Sequence, residues 1–302
     1  MSNRVAIIGI GNVGATIAYT FILRGLAAHI MLVDANTKRC EGEEHDLADA
    51  LAFSRTTTVK QTCCAEARNA DFIIIAAGFA QKPGETRLDL VTKNAAVIRS
   101  IMQNLEPINP NSIVLMITNP VDIMTSVAQS CCSLPKNRVI GSGTWLDTQR
   151  LRRYLGAELC VAPESITAFI IGEHGDSQCV AWSQATVGGT PLEKTNLSAE
   201  QRVCIAEKTR QEVYLIIEKK CATFYGIAAC VADIYESVLF DQKRILPVSS
   251  YHPSLGVCLS LPVVLGCAGV EQELLLQLST EERTCLHEAR DTLNTYISHL
   301  ST

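Results

Sequence analysis

Near the N-terminus the chain reads Ile7-Ile8-Gly9-Ile10-Gly11-Asn12-Val13-Gly14. The apolar run Val5 to Ile8 is typical of a buried strand, and Val13 to Arg24 is amphipathic, so the glycines stand where a strand turns into a helix. Glycines at this spacing permit a tight turn and a close approach of the backbone to a pyrophosphate. The unpaired N–H groups at the start of the helix favour an anion. The stretch therefore predicts a phosphate-binding turn.

An acidic residue follows at the distance expected for a dinucleotide site. Asp34 lies 20 residues after Gly14, at the end of the apolar run Ile30 to Val33. Its carboxylate can accept hydrogen bonds from an adenosine ribose, and its charge would repel a 2′-phosphate. We therefore expect NAD rather than NADP, although the nearby Lys38 and Arg39 leave that alternative open. The glycines alone would also suit an ordinary structural turn.

Apolar runs and amphipathic stretches alternate through the first half of the chain. Two further apolar runs, Phe72 to Ala76 and Ile113 to Ile117, predict strands that are covered on both faces. Amphipathic stretches at Leu88 to Leu105 and Val121 to Cys131 predict helices between and after them. This alternation predicts an α/β fold, a Rossmann-type doubly wound parallel sheet, for an NAD-binding domain over residues 1–141.

The pattern changes after Ile140, where it predicts a second, α+β domain over residues 142–302 that would bind the substrate. No flexible linker separates the two. The predicted elements are a helix from Leu146 to Leu155, a strand from Ile166 to Ile171, helices near Ala199 to Lys219 and Ile227 to Leu239, strands at Ile245 to Ser249 and Val257 to Ser260, and a C-terminal helix from Glu281 to His299.

The composition argues against several other classes of protein. The net charge is −5 and there is no basic block, so a nucleic-acid partner is not expected. The apolar stretch Val5 to Leu23 is interrupted by glycines and polar residues, so we expect neither a signal peptide nor a membrane partner, and a cytoplasmic location. The 13 cysteines include no Cys-x-x-Cys pair, so they predict reduced thiols rather than a metal site or a disulfide framework.

A second group of polar residues could carry chemistry. Asp147 and Arg150 are three residues apart at the start of a predicted helix, so their side chains can share one face. His174 follows an apolar strand, and its imidazole could exchange a hydroxyl proton while a hydride leaves the same carbon. Arginine could clamp a substrate carboxylate through two hydrogen bonds. Each residue taken alone also suits a helix cap, a surface charge or a polar turn.

The loop from Gly78 to Arg87 follows a buried strand and contains glycines at 78 and 84. Such a loop suits a mobile lid. Arg87 at its end could move in and polarise a substrate carbonyl as charge develops on its oxygen. A solvated, charged loop is the alternative interpretation.

These motifs, together with Thr118-Asn119-Pro120-Val121-Asp122, make the chain resemble the lactate and malate dehydrogenase family from Arg4 to the C-terminal helix. The resemblance implies that His174 is the proton donor and acceptor, Asp147 its partner and Arg87 the lid arginine. It implies substrate binding by Arg150, Asn119, Gln81 and Thr223, and cofactor binding by Gly9, Gly11, Asn12, Val13, Gly14, Asp34, Gly78 and Asn119.

In that family the residue at the position of Gln81 separates substrates. A neutral amide suits pyruvate, whereas malate dehydrogenases carry an arginine that pairs with a second carboxylate. The resemblance therefore implies NAD-dependent interconversion of pyruvate and L-lactate. A larger 2-oxo acid, as in L-2-hydroxyisocaproate dehydrogenases, is the first alternative. A nucleotide-binding sensor that kept the fold and lost catalysis is the second.

Regulation and assembly are implied by the resemblance alone. Bacterial members that fructose 1,6-bisphosphate activates use an arginine and a histidine at a subunit interface. Arg152 matches the arginine, but Thr167 stands where the histidine would be. We therefore expect weak or absent activation by this effector. The family also leads us to expect a homotetramer.

Overall fold

The computed structural model describes residues 3–56, 58–80, 84 and 86–300. In the first half of the chain, six strands pair in parallel in the order β3-β2-β1-β4-β5-β6. This order confirms the predicted Rossmann-type sheet, in which ligands bind at the carboxyl ends of the strands. The strands are β1 (Arg4–Ile8), β2 (His29–Val33), β3 (Thr58–Gln61), β4 (Phe72–Ile75), β5 (Ile113–Met116) and β6 (Val139–Gly141).

Helices cover both faces of this sheet, and successive strand residues are buried in different cores. Ile7 and Ile74 belong to one hydrophobic cluster, whereas Ile8 and Ile75 belong to a second. Burial of each such side chain contributes about 1.5–3 kcal/mol, which explains why these strands are apolar throughout. The helices are α1 (Asn12–Arg24), α2 (Thr37–Leu51), α3 (Cys64–Ala67), α4 (Arg87–Leu105) and α5 (Val121–Ser130).

The second half of the chain adds four helices and several short or antiparallel strands. The helices are α6 (Trp145–Leu159), α7 (Ala199–Lys220), α8 (Tyr225–Leu239) and α9 (Thr280–His299). The strands are β7 (Ile166–Thr167), β8 (Ile170–Ile171), β9 (Cys179–Val180), β10 (Thr186–Val187), β11 (Thr190–Pro191), β12 (Arg244–His252), β13 (Val257–Gly266) and β14 (Gly269–Glu273).

Strands from the second half continue the sheet of the first half. β12 pairs antiparallel with β6, where Ser249 faces Gly141, and β13 and β14 extend the same sheet outward. A Cβ atom on Gly141 would lie 3.0 Å from the Cβ of Ser249, so a glycine is needed for this close approach. The two halves therefore share one sheet.

The predicted strand from Ile166 to Ile171 is two short strands that belong to different sheets. β7 pairs with β10, and β8 pairs with β9. The chain changes partners between them, at Ala168 and Phe169, which a hydropathy pattern cannot reveal. Within the described ranges of the chain, no helix is long and apolar enough to cross a membrane.

Candidate active site

The glycine-rich turn between β1 and α1 leaves an open backbone surface. Gly9 has φ +96°, and a Cβ atom there would lie 2.4 Å from the backbone nitrogen of Ala77. A Cβ atom on Gly11, in contrast, would meet no atom within 4 Å. Gly11 precedes α1 and offers it no side-chain cap. The turn therefore presents the N-terminus of α1 to a ligand, and phosphate oxygens could accept from its N–H groups.

Asp34 lies beside this turn at the end of β2. Its Oδ2 accepts a hydrogen bond of 2.6 Å from the backbone N–H of Ile10, and its Oδ1 accepts from the N–H of Asn36 at 2.8 Å. Arg39 is close to the same turn, with Nη2 3.4 Å from Oδ1 of the exposed Asn12. The carboxylate is thus held where an adenosine ribose would bind, with one cation nearby. These groups fit NAD.

The other predicted cofactor residues lie near the same edge of the sheet. Val13 packs against the hydrophobic cluster beneath α1, and Gly14 contacts the carbonyl oxygen of Gly9 so closely that a Cβ atom would lie 2.0 Å from it. At Gly78, a Cβ atom would lie 2.4 Å from Cγ2 of Thr118. Gly14 and Gly78 are therefore required for close packing.

Asn94, which the sequence did not single out, joins the start of the lid to Asn119. The Asn94 side chain is fully buried in α4 and donates to the carbonyl oxygen of Asn119 at 2.8 Å. It also donates to the carbonyl oxygen of Phe79 and accepts from its N–H. A buried amide that is satisfied in this way rigidifies the backbone around it. The sequence shows only a polar residue on an otherwise apolar helix face and does not reveal its hydrogen-bond partners.

Three side chains from two elements meet in one hydrogen-bonded group. Nδ1 of His174 lies 2.6 Å from Oδ2 of Asp147, and Nη1 of Arg150 donates to Oδ1 of Asp147 at 2.9 Å. Asp147 is only 3% exposed, in the first turn of α6, where the helix dipole favours a negative charge. His174 follows β8 and Gly172, and its side chain is 28% exposed. The predicted trio is therefore brought together.

The electrostatics of the trio favour a charged pair. Burial disfavours ionised Asp147, but the attraction of His174 and Arg150 outweighs burial and lowers the pKa of this carboxyl below its ordinary value. Burial likewise disfavours the imidazolium of His174, but the Asp147 carboxylate outweighs it and raises the pKa of His174. His174 can therefore hold a proton for delivery while Asp147 stays ionised.

A buried carboxylate anchors the backbone of His174. Asp122, in the first turn of α5, is 1% exposed and accepts from the His174 N–H at 2.8 Å. Burial raises the pKa of Asp122 to about 6. The sequence placed Asp122 in a motif without giving it a role, because its contact with residue 174 depends on tertiary packing.

Arg87 is the first residue of α4, which begins with a capping box formed by Thr86 and Asp89. Its Nη2 pairs with the buried carboxylate of Glu173, and its guanidinium lies 5.4 Å from the ring centroid of Tyr296. Neither partner was identified from the sequence. Gln81, the predicted substrate-selective residue of the lid, lies outside the described residues.

A cleft of about 400 Å³ opens beside these groups. Three residues of α7, Arg210, Val213 and Tyr214, form a wall that the sequence did not predict. Tyr214 donates to Oδ1 of Asp176 at 2.7 Å. Arg150 and Thr223, although both are described, are not among the residues that line the cleft. The lining residues are Arg87, Leu90, Asn119, Pro120, Asp147, His174, Gly175, Asp176, Gln178, Arg210, Val213 and Tyr214.

Comparisons with known proteins match nearly the whole chain to one protein family. Residues 3–141 match the NAD binding domain of lactate/malate dehydrogenases, and residues 144–301 match their alpha/beta C-terminal domain. L-lactate dehydrogenase A of Rhizopus oryzae is 40% identical over 294 residues, which is 97% of this chain and 92% of the relative. L-lactate dehydrogenase of Thermus aquaticus is 40% identical over 300 residues, covering 96% and 97% of the two chains.

Two solved structures are similar over their full length. A lactate dehydrogenase from a Medee basin deep-sea metagenome superposes with a TM-score of 0.95 at 34% identity, covering 100% of both chains. The minor L-lactate dehydrogenase of Enterococcus mundtii superposes with a TM-score of 0.94 at 35% identity, covering 99% of this chain and 98% of that one.

Proposed function

The chain belongs to the lactate/malate dehydrogenase family, and we propose on this basis that it catalyses the reversible reduction of pyruvate to L-lactate with NADH. It is an NAD-dependent 2-hydroxy acid dehydrogenase. The observation that carries the proposal is the hydrogen-bonded trio of His174, Asp147 and Arg150 beside a cleft that Arg87 and Asn119 also line. The names of the similar proteins support pyruvate and L-lactate as the substrate pair.

The first half of the chain would hold the cofactor. NAD, when bound, supplies the hydride donor and acceptor of the reaction. We assign the pyrophosphate to the turn at Gly9, Gly11 and Asn12 and the adenosine ribose to Asp34, with Val13, Gly14 and Gly78 as packing residues. Asn119 would contact the nicotinamide end. Residues 1–141 are thus the proposed NAD-binding domain and 142–302 the proposed substrate domain, although Arg87 and Asn119 enter the cleft from the first.

His174 would donate and accept the proton of the reaction. In pyruvate reduction its imidazolium donates to the carbonyl oxygen, and in lactate oxidation the neutral ring accepts the hydroxyl proton. Such general acid–base catalysis contributes about 10²–10⁴-fold to the rate. Asp147 binds Nδ1, which leaves Nε2 for the substrate and stabilises the charged ring.

Two arginines would bind the carboxylate and the carbonyl oxygen of the substrate. We assign the substrate carboxylate to Arg150, whose guanidinium uses only Nη1 in its bond to Asp147. Arg87 would leave Glu173 and approach the carbonyl oxygen, where it opposes the developing negative charge. Gln81 and Thr223 would face the substrate's side chain. Neither residue carries the positive charge that a second carboxylate would need, which supports pyruvate over a dicarboxylate.

The proposal is tested by NADH oxidation with a panel of pyruvate, oxaloacetate and 2-oxoisocaproate. We expect the highest kcat/KM with pyruvate. His174→Ala should lose about 10²–10⁴-fold in kcat while NADH binding, followed by fluorescence, is retained. His45→Ala, on the exposed side of α2, is the matched control and should keep full activity.

Three results would each contradict part of the proposal. A higher kcat/KM with 2-oxoisocaproate would assign the enzyme to longer substrates. NADH binding without turnover of any 2-oxo acid would indicate a nucleotide sensor. Near parental turnover of His174→Ala would remove His174 from the proton transfer.

We also propose a homotetramer in the cytoplasm. Apolar side chains such as Leu23, Tyr225, Phe240 and Ile245 are exposed on the single chain and could be buried between subunits. The free thiols suit a reducing compartment. Analytical ultracentrifugation tests the assembly, and a species of one chain mass at micromolar concentration would contradict it.

A further inference from the structure

Two cysteines far apart in sequence lie side by side near the active site. Cys179 belongs to β9 and Cys285 to the second turn of α9. Both side chains line one cavity and interact electrostatically with each other, and Sγ of Cys285 donates to the carbonyl oxygen of Ser177 at 3.8 Å. Both thiols are free and half-buried. The two thiols are therefore neighbours in one cavity, and neither is in a disulfide.

Solvent reaches this pair through a second cavity of about 400 Å³. Cys179 and Cys285 both line it, so each thiol is open to a small reagent. Gln178 and Arg210 line this cavity and also the active-site cleft. The dithiol is therefore separated from the catalytic cleft by a shared wall.

The two thiols are chemically unequal. The interaction with Cys179 lowers the pKa of Cys285 to about 7, whereas the same interaction raises the pKa of Cys179. Cys285 therefore ionises more readily than Cys179, and the thiolate is the nucleophilic form. Cys285 is the attacking thiol and Cys179 the resolving one.

The charge of the cavity selects the oxidant. The carboxylates of Glu207, Glu281 and Glu282 line it, against the single guanidinium of Arg210. Anionic oxidants such as glutathione disulfide would be repelled, whereas hydrogen peroxide is small and uncharged.

We propose that Cys179 and Cys285 form a redox site that hydrogen peroxide converts into a disulfide, and that this disulfide slows turnover. In the first step the Cys285 thiolate attacks one peroxide oxygen, the O–O bond breaks, and the sulfenic acid of Cys285 and hydroxide form. In the second step Cys179 loses its proton and attacks the sulfenic sulfur, and hydroxide leaves as water. In sum, two thiols and one peroxide give one disulfide and two waters.

A short chain of contacts connects this site to the catalytic side chains. Cys285 donates to the carbonyl oxygen of Ser177, and the hydroxyl of Ser177 donates to Glu173, which pairs with Arg87. A disulfide removes the thiol donor from Ser177 and ties the segment after His174 covalently to α9. Because a displacement of about 1 Å can cost 10²-fold in rate, we expect a loss of at least about tenfold in kcat.

The test treats the reduced, full-length enzyme with hydrogen peroxide and maps its peptides without reduction. We expect a peptide pair that joins Cys179 to Cys285, a kcat lowered about tenfold or more, and recovery with dithiothreitol. Cys285→Ser and Cys179→Ser should each form no such linkage and keep their turnover after peroxide. Cys204→Ser, a matched control at an exposed cysteine of α7, should respond like the parent.

Absence of the Cys179–Cys285 linkage after peroxide treatment would overturn the proposal, as would an oxidised enzyme that turns over at the reduced rate. The activity readout rests on the proposed function, whereas the peptide map does not. If the reduced enzyme fails to oxidise NADH with pyruvate, the proposed function fails, and the peptide map still decides whether the disulfide forms.

Discussion

Replacement of Asp147 by asparagine tests the electrostatic core of the site. Asp147 is buried and bonds to two cations, Nδ1 of His174 at 2.6 Å and Nη1 of Arg150 at 2.9 Å. Asparagine keeps the shape and one acceptor oxygen but removes the charge. Burial disfavours the imidazolium of His174, and the attraction of the Asp147 carboxylate that opposes this effect is then lost.

The size of the effect follows from one lost charge-assisted hydrogen bond. Such a bond contributes about 1.5–3 kcal/mol, which corresponds to roughly 10–150-fold in rate. The loss of the same interaction lowers the pKa of His174. Pyruvate reduction needs the imidazolium, so activity is present below the pKa of His174 and is lost as the pH rises through it. The alkaline limb of the Asp147→Asn variant should therefore move to lower pH.

The assay is kcat/KM for pyruvate between pH 5 and 9, with NADH binding and the unfolding midpoint measured alongside. Asp49→Asn, on the exposed side of α2, is the matched control and should reproduce the parental profile. A folded Asp147→Asn variant that keeps its alkaline limb and loses less than threefold in kcat/KM would refute the assigned role of this carboxylate.

Three further predictions concern specificity and regulation. NADH should be preferred over NADPH, and equal kcat/KM values for the two cofactors would argue against Asp34 as the selective residue. Asp34→Ser should bring the two kcat/KM values closer together, because the nearby Arg39 could then pair with the 2′-phosphate of NADPH. Gln81→Arg should shift the kcat/KM ratio from pyruvate toward oxaloacetate by up to about 10⁴-fold, since a buried guanidinium needs the second carboxylate; an unchanged ratio would place position 81 away from the substrate. Fructose 1,6-bisphosphate should leave the KM for pyruvate nearly unchanged, because Arg152 already donates to a backbone carbonyl and Thr167 is uncharged. A large fall in this KM at micromolar effector would contradict the prediction.

Much of the fold could be predicted because its signals are local. The apolar runs of β1, β2, β4 and β5 and the turn at Gly9 have the predicted positions. The helix α2 was not predicted, because Thr37–Leu51 is largely polar and only Cys40 and Leu47 are buried. The three-residue strand β6 was too short to show a period.

The site was predicted in part. Asp147 and Arg150 share a helix face, so their pairing follows from sequence spacing. The contact of Asp147 with His174 spans 27 residues and was inferred only from the family resemblance. The roles of Asp122, Glu173 and the other contact residues could not be predicted, because a lone carboxylate in a sequence does not reveal its partner.

Local sequence is enough to specify the glycine-rich turn, the alternation of strands and helices, and the residue types available for chemistry. These depend on backbone preferences and on periodicity within a few neighbouring residues. Three features depend on how distant elements pack: β12 continues the sheet at β6, Asp122 holds the backbone of His174, and Cys179 and Cys285 line one cavity. Contacts of this kind arise where separate elements pack on a shared core, and their geometry depends on the burial of the whole chain rather than on any local segment.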